Sequence, residues 1–520
     1  FSGTEPQTTG GSLFAGGRVM NLNVNNASGV SLFDPLNVTG IVYVQGGNLA
    51  SDGFLTLVSE AAGTALIDGS GSGSVTGNVT MQRYLPSTFG YRYFSSPFVA
   101  SAVSEFADDM DLASSFPMFY RYDESRTSSG WVPYTTGTSL LNPMEGYAVN
   151  FGSIDVPGTV DVTGEVSNGN ISVTLYNHDN TYTAGFNLIG NPYPSPIDWN
   201  AAGWTKTNID NALYFFRTST TDEYSGTYSS YVNGISSDGA ADNIIPSMQG
   251  FFVHVSDGAY PVTGILGAAN SVRINNRTHL FFKSASADNR FLIRLSAEFT
   301  DDPISADPAV VYFDGDAAPV FDKELDALKL FNTDMMVTNL YSVLTGGERL
   351  SVNALPLQND SVLFVPLGIT TYRDGEIVFR LRSLENLPDN VRVMIRDAVT
   401  GKTSDLGNSG TYVTSLPEGI YNDRFALAVL KNTTDAAVIP GDDQVFSAFV
   451  SGNIIRATVS SIEGTEGAIT VFDLAGRLLH VKKVFETGLY DLDVNLKQGI
   501  YLVKYTSGIL NSTVKLATGL

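Results

Sequence analysis

Apolar and polar residues alternate in short runs along the first part of the chain. Met20-Asn21-Leu22-Asn23-Val24, Leu36-Asn37-Val38, Ile41-Val42-Tyr43-Val44 and Phe54-Leu55-Thr56-Leu57-Val58 follow the two-residue period of strands that bury one face. Gly29, Gly40, Gly46, Gly47 and Gly53 punctuate them. Strands this short, spaced by turns, suit the stacked coils of a β-solenoid over residues 1–80. They also suit the edge region of an ordinary β-sandwich.

Residues 81–268 carry an internal duplication. Tyr93-Phe94-Ser95-Ser96-Pro97-Phe98 matches Leu188-Ile189-Gly190-Asn191-Pro192-Tyr193, and Met118-Phe119-Tyr120 pairs with Leu213-Tyr214-Phe215. Trp131-Val132-Pro133-Tyr134 pairs with Tyr228-Ser229-Ser230-Tyr231. Pro143-Met144-Glu145-Gly146-Tyr147-Ala148-Val149 aligns with Ser247-Met248-Gln249-Gly250-Phe251-Phe252-Val253. Four matches in one order predict two related β-modules, 81–165 and 166–268, packed together or interleaved.

Further runs at sandwich-like spacing, among them Phe291-Leu292-Ile293-Arg294-Leu295 and Ile377-Val378-Phe379-Arg380-Leu381, predict a β-sandwich over 269–432. Leu325, Leu328 and Lys329 stand at helical spacing and predict one short helix within 321–330. A polar, Gly/Pro-punctuated linker at 433–443 precedes about seven short strand candidates in 444–520, a length that suits an Ig-like sandwich. The expected fold class is therefore all-β and multi-domain: terminal solenoid rungs, duplicated β-modules, a β-sandwich and a C-terminal Ig-like sandwich.

Composition narrows the function. The 520 residues include 51 Gly and 30 Phe, which favour strands and turns over helices. A net charge of −23 repels phosphate backbones and argues against nucleic acid as a partner. With no Cys, disulfides, thiol nucleophiles and thiolate zinc sites are excluded. No apolar run is long enough for a helix to span a membrane. The sequence opens at Phe1, without Met, in what reads as the middle of a repeat. We therefore expect a mature or truncated part of a longer protein, with earlier coils upstream.

Candidate chemistry is sparse, and we expect no enzyme. His178, His254, His279 and His480 form no HExxH pair, and neither a G-x-S-x-G elbow nor a phosphate loop is present. His254 alternates with apolar residues and reads as a strand position. The acidic run Asp301-Asp302, Asp307, Asp314-Gly315-Asp316 offers oxygens that suit calcium, without the spacing of a known loop; otherwise no cofactor or metal site is expected. Aromatic side chains cluster in the duplicated modules. Trp131, Tyr134, Trp199 and Trp204 are the candidate sugar-stacking residues, set against core packing as the default for aromatic strand positions.

Two resemblances add an expectation of place. Asn25-Asn26-Ala27-Ser28-Gly29-Val30 is similar to the terminal rungs of bacterial surface β-helices. At the other end, Val471-Phe472-Asp473-Leu474-Ala475-Gly476-Arg477, Leu496-Lys497-Gln498-Gly499-Ile500-Tyr501-Leu502-Val503 and Thr513-Val514-Lys515-Leu516 resemble, in order, the motifs of the type A sorting domain carried by Bacteroidetes substrates of the type IX secretion system. The Pro-Asn-Pro opening of that family is absent; only Pro440-Gly441 stands nearby. The resemblance implies recognition through Gly476, Arg477, Gly499, Tyr501, Val503 and Lys515. The implied partners are an outer-membrane translocon and a PorV-type shuttle barrel. The expected product is a secreted cell-surface protein of a Gram-negative bacterium, an adhesin with a glycan or host/substratum ligand. The alternatives are a carbohydrate-binding surface protein and the non-catalytic C-terminal part of a larger secreted enzyme.

Overall fold

The computed structural model describes residues 1–10, 13–277, 289–356, 362–386 and 391–431. It also describes 446–518, except 452–453, 460–461, 463–465, 474–475, 495, 498 and 509. The predicted linker and His279 lie outside the described residues. The chain divides into two compact units: residues 1–288 with 323–335, and residues 289–322 with 336–520. The protein is all-β and multi-domain.

The first unit begins as a parallel β-solenoid. Three faces wind in order. One joins Ser2–Gly3, Leu22–Asn26, Ile41–Gly46 and Leu66–Ile67. The second joins Gln7–Thr8, Val30–Ser31, Asn48–Ala50 and Ser74–Thr76. The third joins Arg18–Val19, Leu36–Val38, Leu55–Leu57 and Asn78–Leu85. Every pairing within these faces is parallel, so like positions stack: Leu36 lies beside Leu55, and Leu55 beside Val79. The alternation seen in the sequence puts Leu22, Val24, Leu36, Val38, Val42, Val44, Leu55 and Leu57 inside. No coil could bury these side chains alone; stacking provides the core. Asn78–Leu85 then pairs antiparallel with Gly158–Glu165, which carries the third face on into the first repeat.

The two repeats share one strand order. In the first, Tyr91–Ser95, Gly146–Asn150, Phe119–Tyr122 and Trp131–Pro133 form a sheet in that order. In the second, Phe186–Gly190, Gly250–His254, Leu213–Thr218 and Gly226–Val232 do the same, with Ile235–Ser236 added at the edge. The pairings correspond: Phe94 opposes Tyr147, and Ile189 opposes Phe251. One alignment shifts. Tyr120 opposes Ala148 as Tyr214 opposes Phe252, so Tyr120, not Phe119, is the counterpart of Tyr214.

The repeats interlock about a pseudo-twofold axis. Glu145 bridges Ile189, and its counterpart Gln249 bridges Phe94. Ser95 N donates to Met248 O at 3.2 Å, and Gly190 N donates to Met144 O at 3.3 Å. Met144 and Met248 both hold φ of 61°, in the left-handed region that costs a non-glycine residue free energy. The bend delivers each methionine across the axis: Met144 packs in the core of the second repeat and Met248 in that of the first.

Residues 321–330 contain no helix. The predicted helix is replaced by turn and extended chain because other partners take its backbone groups. Lys323 O accepts from Asn211 N at 2.8 Å, and a few residues later Thr333 N donates to Gly226 O at 3.0 Å.

In the second unit, one long sheet runs from Thr403–Asp405 through Val391–Asp397, Gly419–Lys431, Val362–Thr371, Asn339–Val343, Arg349–Leu355, Asp302–Phe313, Leu292–Phe299 and Gly375–Glu385 to Thr411–Leu416. Alternate residues of its strands, including Leu295, Phe299, Leu367, Ile369, Phe379, Ile395, Phe425 and Leu427, share one core. Two buried carboxylates tie the strands together. Glu298 accepts from Arg380 Nε and Arg382 Nη2, both at 2.8 Å. Asp397, fully enclosed, accepts from Arg424 Nη2 and the Tyr412 hydroxyl, both at 2.8 Å.

Candidate functional site

The C-terminal residues form two sheets around a core of Phe446, Ile455, Val459, Ile469, Val471, Val484, Leu492, Val503 and Tyr505. The order is Phe446–Ser451, Ile454–Val459, Gly488–Leu492 in one and Leu478–Val484, Gly467–Asp473, Gly499–Ser507, Leu510–Thr518 in the other. Gly476, at φ 79°, makes the turn between two strands, a conformation glycine adopts without a Cβ penalty. Arg477 beside it is exposed; its N and Nε donate to the Asp473 carboxylate at 2.9 and 3.0 Å. Tyr501 is buried. Its hydroxyl accepts from Lys497 N at 2.8 Å and donates to Lys497 O at 2.9 Å, clamping the entry to its own strand. Gly499 opposes Thr518, Val503 is in the core, and Lys515 projects to solvent. Thus Gly476, Arg477 and Lys515 offer surface, whereas Tyr501 and Val503 are structural. The two turn residues join Gly467–Asp473 to Leu478–Val484 at one side of the sheet, and Lys515 lies on Leu510–Thr518, its edge strand at the other side.

The four candidate sugar-stacking residues do not converge. Trp199 is 1% exposed; its Nε1 donates to Asn211 O at 2.9 Å and Lys206 Nζ covers its ring at 3.7 Å. It therefore has no free face. Burial pushes the Lys206 ammonium down to about 8. Trp204 packs on Trp199 with centroids 4.7 Å apart and donates to Asp198 O. Tyr134 stacks on Tyr147 at 5.7 Å in the first repeat. Trp131, half-buried, belongs to a cluster where the repeats meet, with Tyr93, Tyr122 and Phe252 at 5.6, 5.0 and 6.1 Å.

Two histidines hold buried carboxylates. His254 Nδ1 lies 2.6 Å from Asp210 Oδ2, with both side chains 2% exposed. Ser256 Oγ donates to the other oxygen of Asp210 at 2.6 Å. The carboxylate sits between serine and imidazole, and His254 Nε2 faces Asp257 at 4.0 Å, so the order of a nucleophile–base–acid relay is not met. Glu124, on the loop after Phe119–Tyr122, accepts from His178 Nδ1 at 2.6 Å and His178 N at 3.1 Å; it fastens the first repeat to the second. In the acidic run, Asp301 pairs with Arg373, Asp307 accepts from Leu340 N, and Asp314 pairs with Arg290. Among the described residues, no three His, Asp or Glu side chains are grouped to hold a metal ion.

Fold and site together define a modular, all-β protein of several sheets. The chain belongs to the family described as a domain of unknown function, DUF8693, whose profile spans residues 9–429. It is also similar to the minor fimbrium subunit Mfa5 of Porphyromonas gingivalis, 23% identical over 401 residues that make up 74% of this chain and 31% of that protein. The chain thus spans about a third of that relative's length. Among solved structures, a biofilm-associated protein BSP domain aligns at 9% identity over 85% of this chain and 63% of its own, with a TM-score of 0.16. The β-glucuronidase of Ruminococcus gnavus aligns at 10% identity over 28% of this chain and 36% of its own, at 0.12. Scores this low place the chain in neither fold.

Proposed function

We propose that this protein is an adhesin-like, surface-displayed β scaffold of a Gram-negative bacterium, delivered by the type IX secretion route and acting by binding rather than catalysis. The observation that carries the surface reading is the similarity to a fimbrial subunit over 401 residues. The solenoid suits such a role, because alternate residues of its strands, such as Asn23 and Asn25 in Leu22–Asn26, face outward. The export route rests on the three ordered C-terminal motifs. The family profile stops at residue 429, ahead of the C-terminal sandwich, which agrees with a separable address module. In this reading Gly476, Arg477 and Lys515 meet the shuttle barrel, while Gly499, Tyr501 and Val503 hold the shape that presents them. A reporter fused to residues 433–520 tests the route: surface or medium delivery in a type IX-competent strain, lost in a translocon mutant, is the expected result. Retention in both strains overturns it.

A further inference from the structure

Alternate residues of the long sheet in the second unit turn to opposite faces. Ile395 and Val365 enter the shared core, so Arg396 and Phe364 turn away from it. On that outer face they meet the C-terminal strand Phe446–Ser451. The Arg396 guanidinium lies over the rings of Phe364 and Phe449, 5.9 and 5.4 Å from their centroids. The two rings are themselves 5.9 Å apart, and Arg396 Nη2 donates to Ser447 Oγ.

These residues line a cavity of about 670 Å³, a size that suits a small molecule. Leu355, Phe364, Phe449 and Val450 supply apolar wall, and the exposed Ile454 and Asp423 stand at its rim. Three guanidinium groups line it, and two are committed. Arg424 Nε and Nη2 donate to Asp397 at 3.0 and 2.8 Å. Arg456 Nη1 donates to Asp423 at 2.8 Å, and its Nε lies 3.1 Å from Asp491 Oδ1. Arg396 differs. It is 9% exposed, and it pairs with no carboxylate among the described residues. Its Nε and Nη1 have no hydrogen-bond partner among the described residues, yet they are not sealed off from solvent. Burial lowers its pKa, and no acid opposes that shift. A cation held in this way lacks the counterion that would offset its desolvation.

We infer that this cavity binds a small organic carboxylate with an apolar body. The carboxylate accepts from the open donors of Arg396, a charge-assisted contact, while the body rests against the apolar wall. A net charge of −23 disfavours anions over the surface as a whole, so the attraction comes from the cavity's own cation. The site stands on its own geometry, whether or not the C-terminal sandwich directs export.

The test is a saturation-transfer NMR titration of the full chain, which reads weak affinities, with phenylpropionate, phenylpropanol and phenylpropylammonium. The three probes share one apolar body and differ in the head group. Phenylpropionate is expected to bind at least about tenfold more tightly than the alcohol, and the ammonium is not expected to bind. Arg396→Gln should weaken phenylpropionate by about tenfold, to the level of the alcohol. Ile454→Glu sets a negative charge at the exposed rim and should weaken it as well. Arg18→Gln, which removes the same charge from an exposed solenoid position, should leave it unchanged. Circular dichroism melting checks that each variant is folded; where Arg396→Gln is not, Ile454→Glu carries the test. Equal binding of the carboxylate and the alcohol would overturn the site. So would no binding of phenylpropionate, an equal loss in Arg18→Gln, or an unchanged affinity in the folded site variants.

Discussion

Gly146 sits at the pseudo-twofold axis, where the repeats touch backbone to backbone. A Cβ at this position would lie 2.5 Å from Ile189 O and 2.7 Å from the Leu188 side chain. The first neighbour is a carbonyl oxygen of a paired strand, which cannot rotate away. Gly146→Ala must therefore push the repeats apart. Overpacking of this kind costs about 1–3 kcal/mol, and weakening the Gly190 N to Met144 O bond adds about 1 kcal/mol. The expected loss is about 2–4 kcal/mol, confined to the junction. The counterpart Gly250 gives an internal comparison, because its added Cβ would meet Phe94 O at 2.9 Å and Tyr93 atoms at 3.0 Å. Gly250→Ala should cost less, about 1–2 kcal/mol. A chain of several domains does not unfold in one step, so the assay is hydrogen exchange read by peptide rather than a single melting curve. Exchange in Phe186–Gly190 and Gly250–His254 should accelerate by roughly 30- to 1,000-fold in Gly146→Ala, with Leu22–Asn26 unchanged. Unaltered exchange at the junction, or a larger effect from Gly250→Ala, would refute the interlocked arrangement.

Three further outcomes follow from named groups. Burial, then Asp108 and Asp161, pushes Asp109 up to about 7. A carboxyl raised above its unfolded value keeps its proton only in the native state, so its contribution to stability is lost as pH rises from about 4 to 7. Asp109→Asn should stabilise the first unit by about 1–2 kcal/mol at pH 8, after allowance for its partial exposure, and have no effect at pH 3; denaturant titration at both pH values checks this. Asp397→Ala strands Arg424 without its enclosed partner and should cost about 3–5 kcal/mol, seen as faster exchange in Val391–Asp397 and Gly419–Lys431. Tyr501→Phe removes both hydrogen bonds to Lys497 and should cost about 1–3 kcal/mol, with loosening limited to the C-terminal sandwich.

Much of the architecture can be read from alternation. The inward residues of the solenoid are those the two-residue period selects, because one face of each coil must be buried. The duplication is visible because Pro, Gly and aromatic residues recur in order. Its register is only partly visible. Phe119 and Tyr120 are both aromatic, and only the pairing of Tyr120 with Ala148 shows which corresponds to Tyr214. The expected helix at 321–330 failed because spacing reports a helix's own preference and not the competition for its backbone. Trp199 shows the same limit for sites: composition suggests an aromatic that stacks on a ligand, but Lys206 and Trp204 cover it.

The proposed account joins the surface reading to an export route through the C-terminal sandwich. The most direct measurement is protease accessibility of the full chain, and of a version ending at residue 432, on intact cells of a type IX-competent bacterium and of its translocon mutant. The account predicts that the full chain is accessible only in the competent strain and that the shortened chain is retained in both. Surface exposure of the shortened chain, or of the full chain in the translocon mutant, would contradict it.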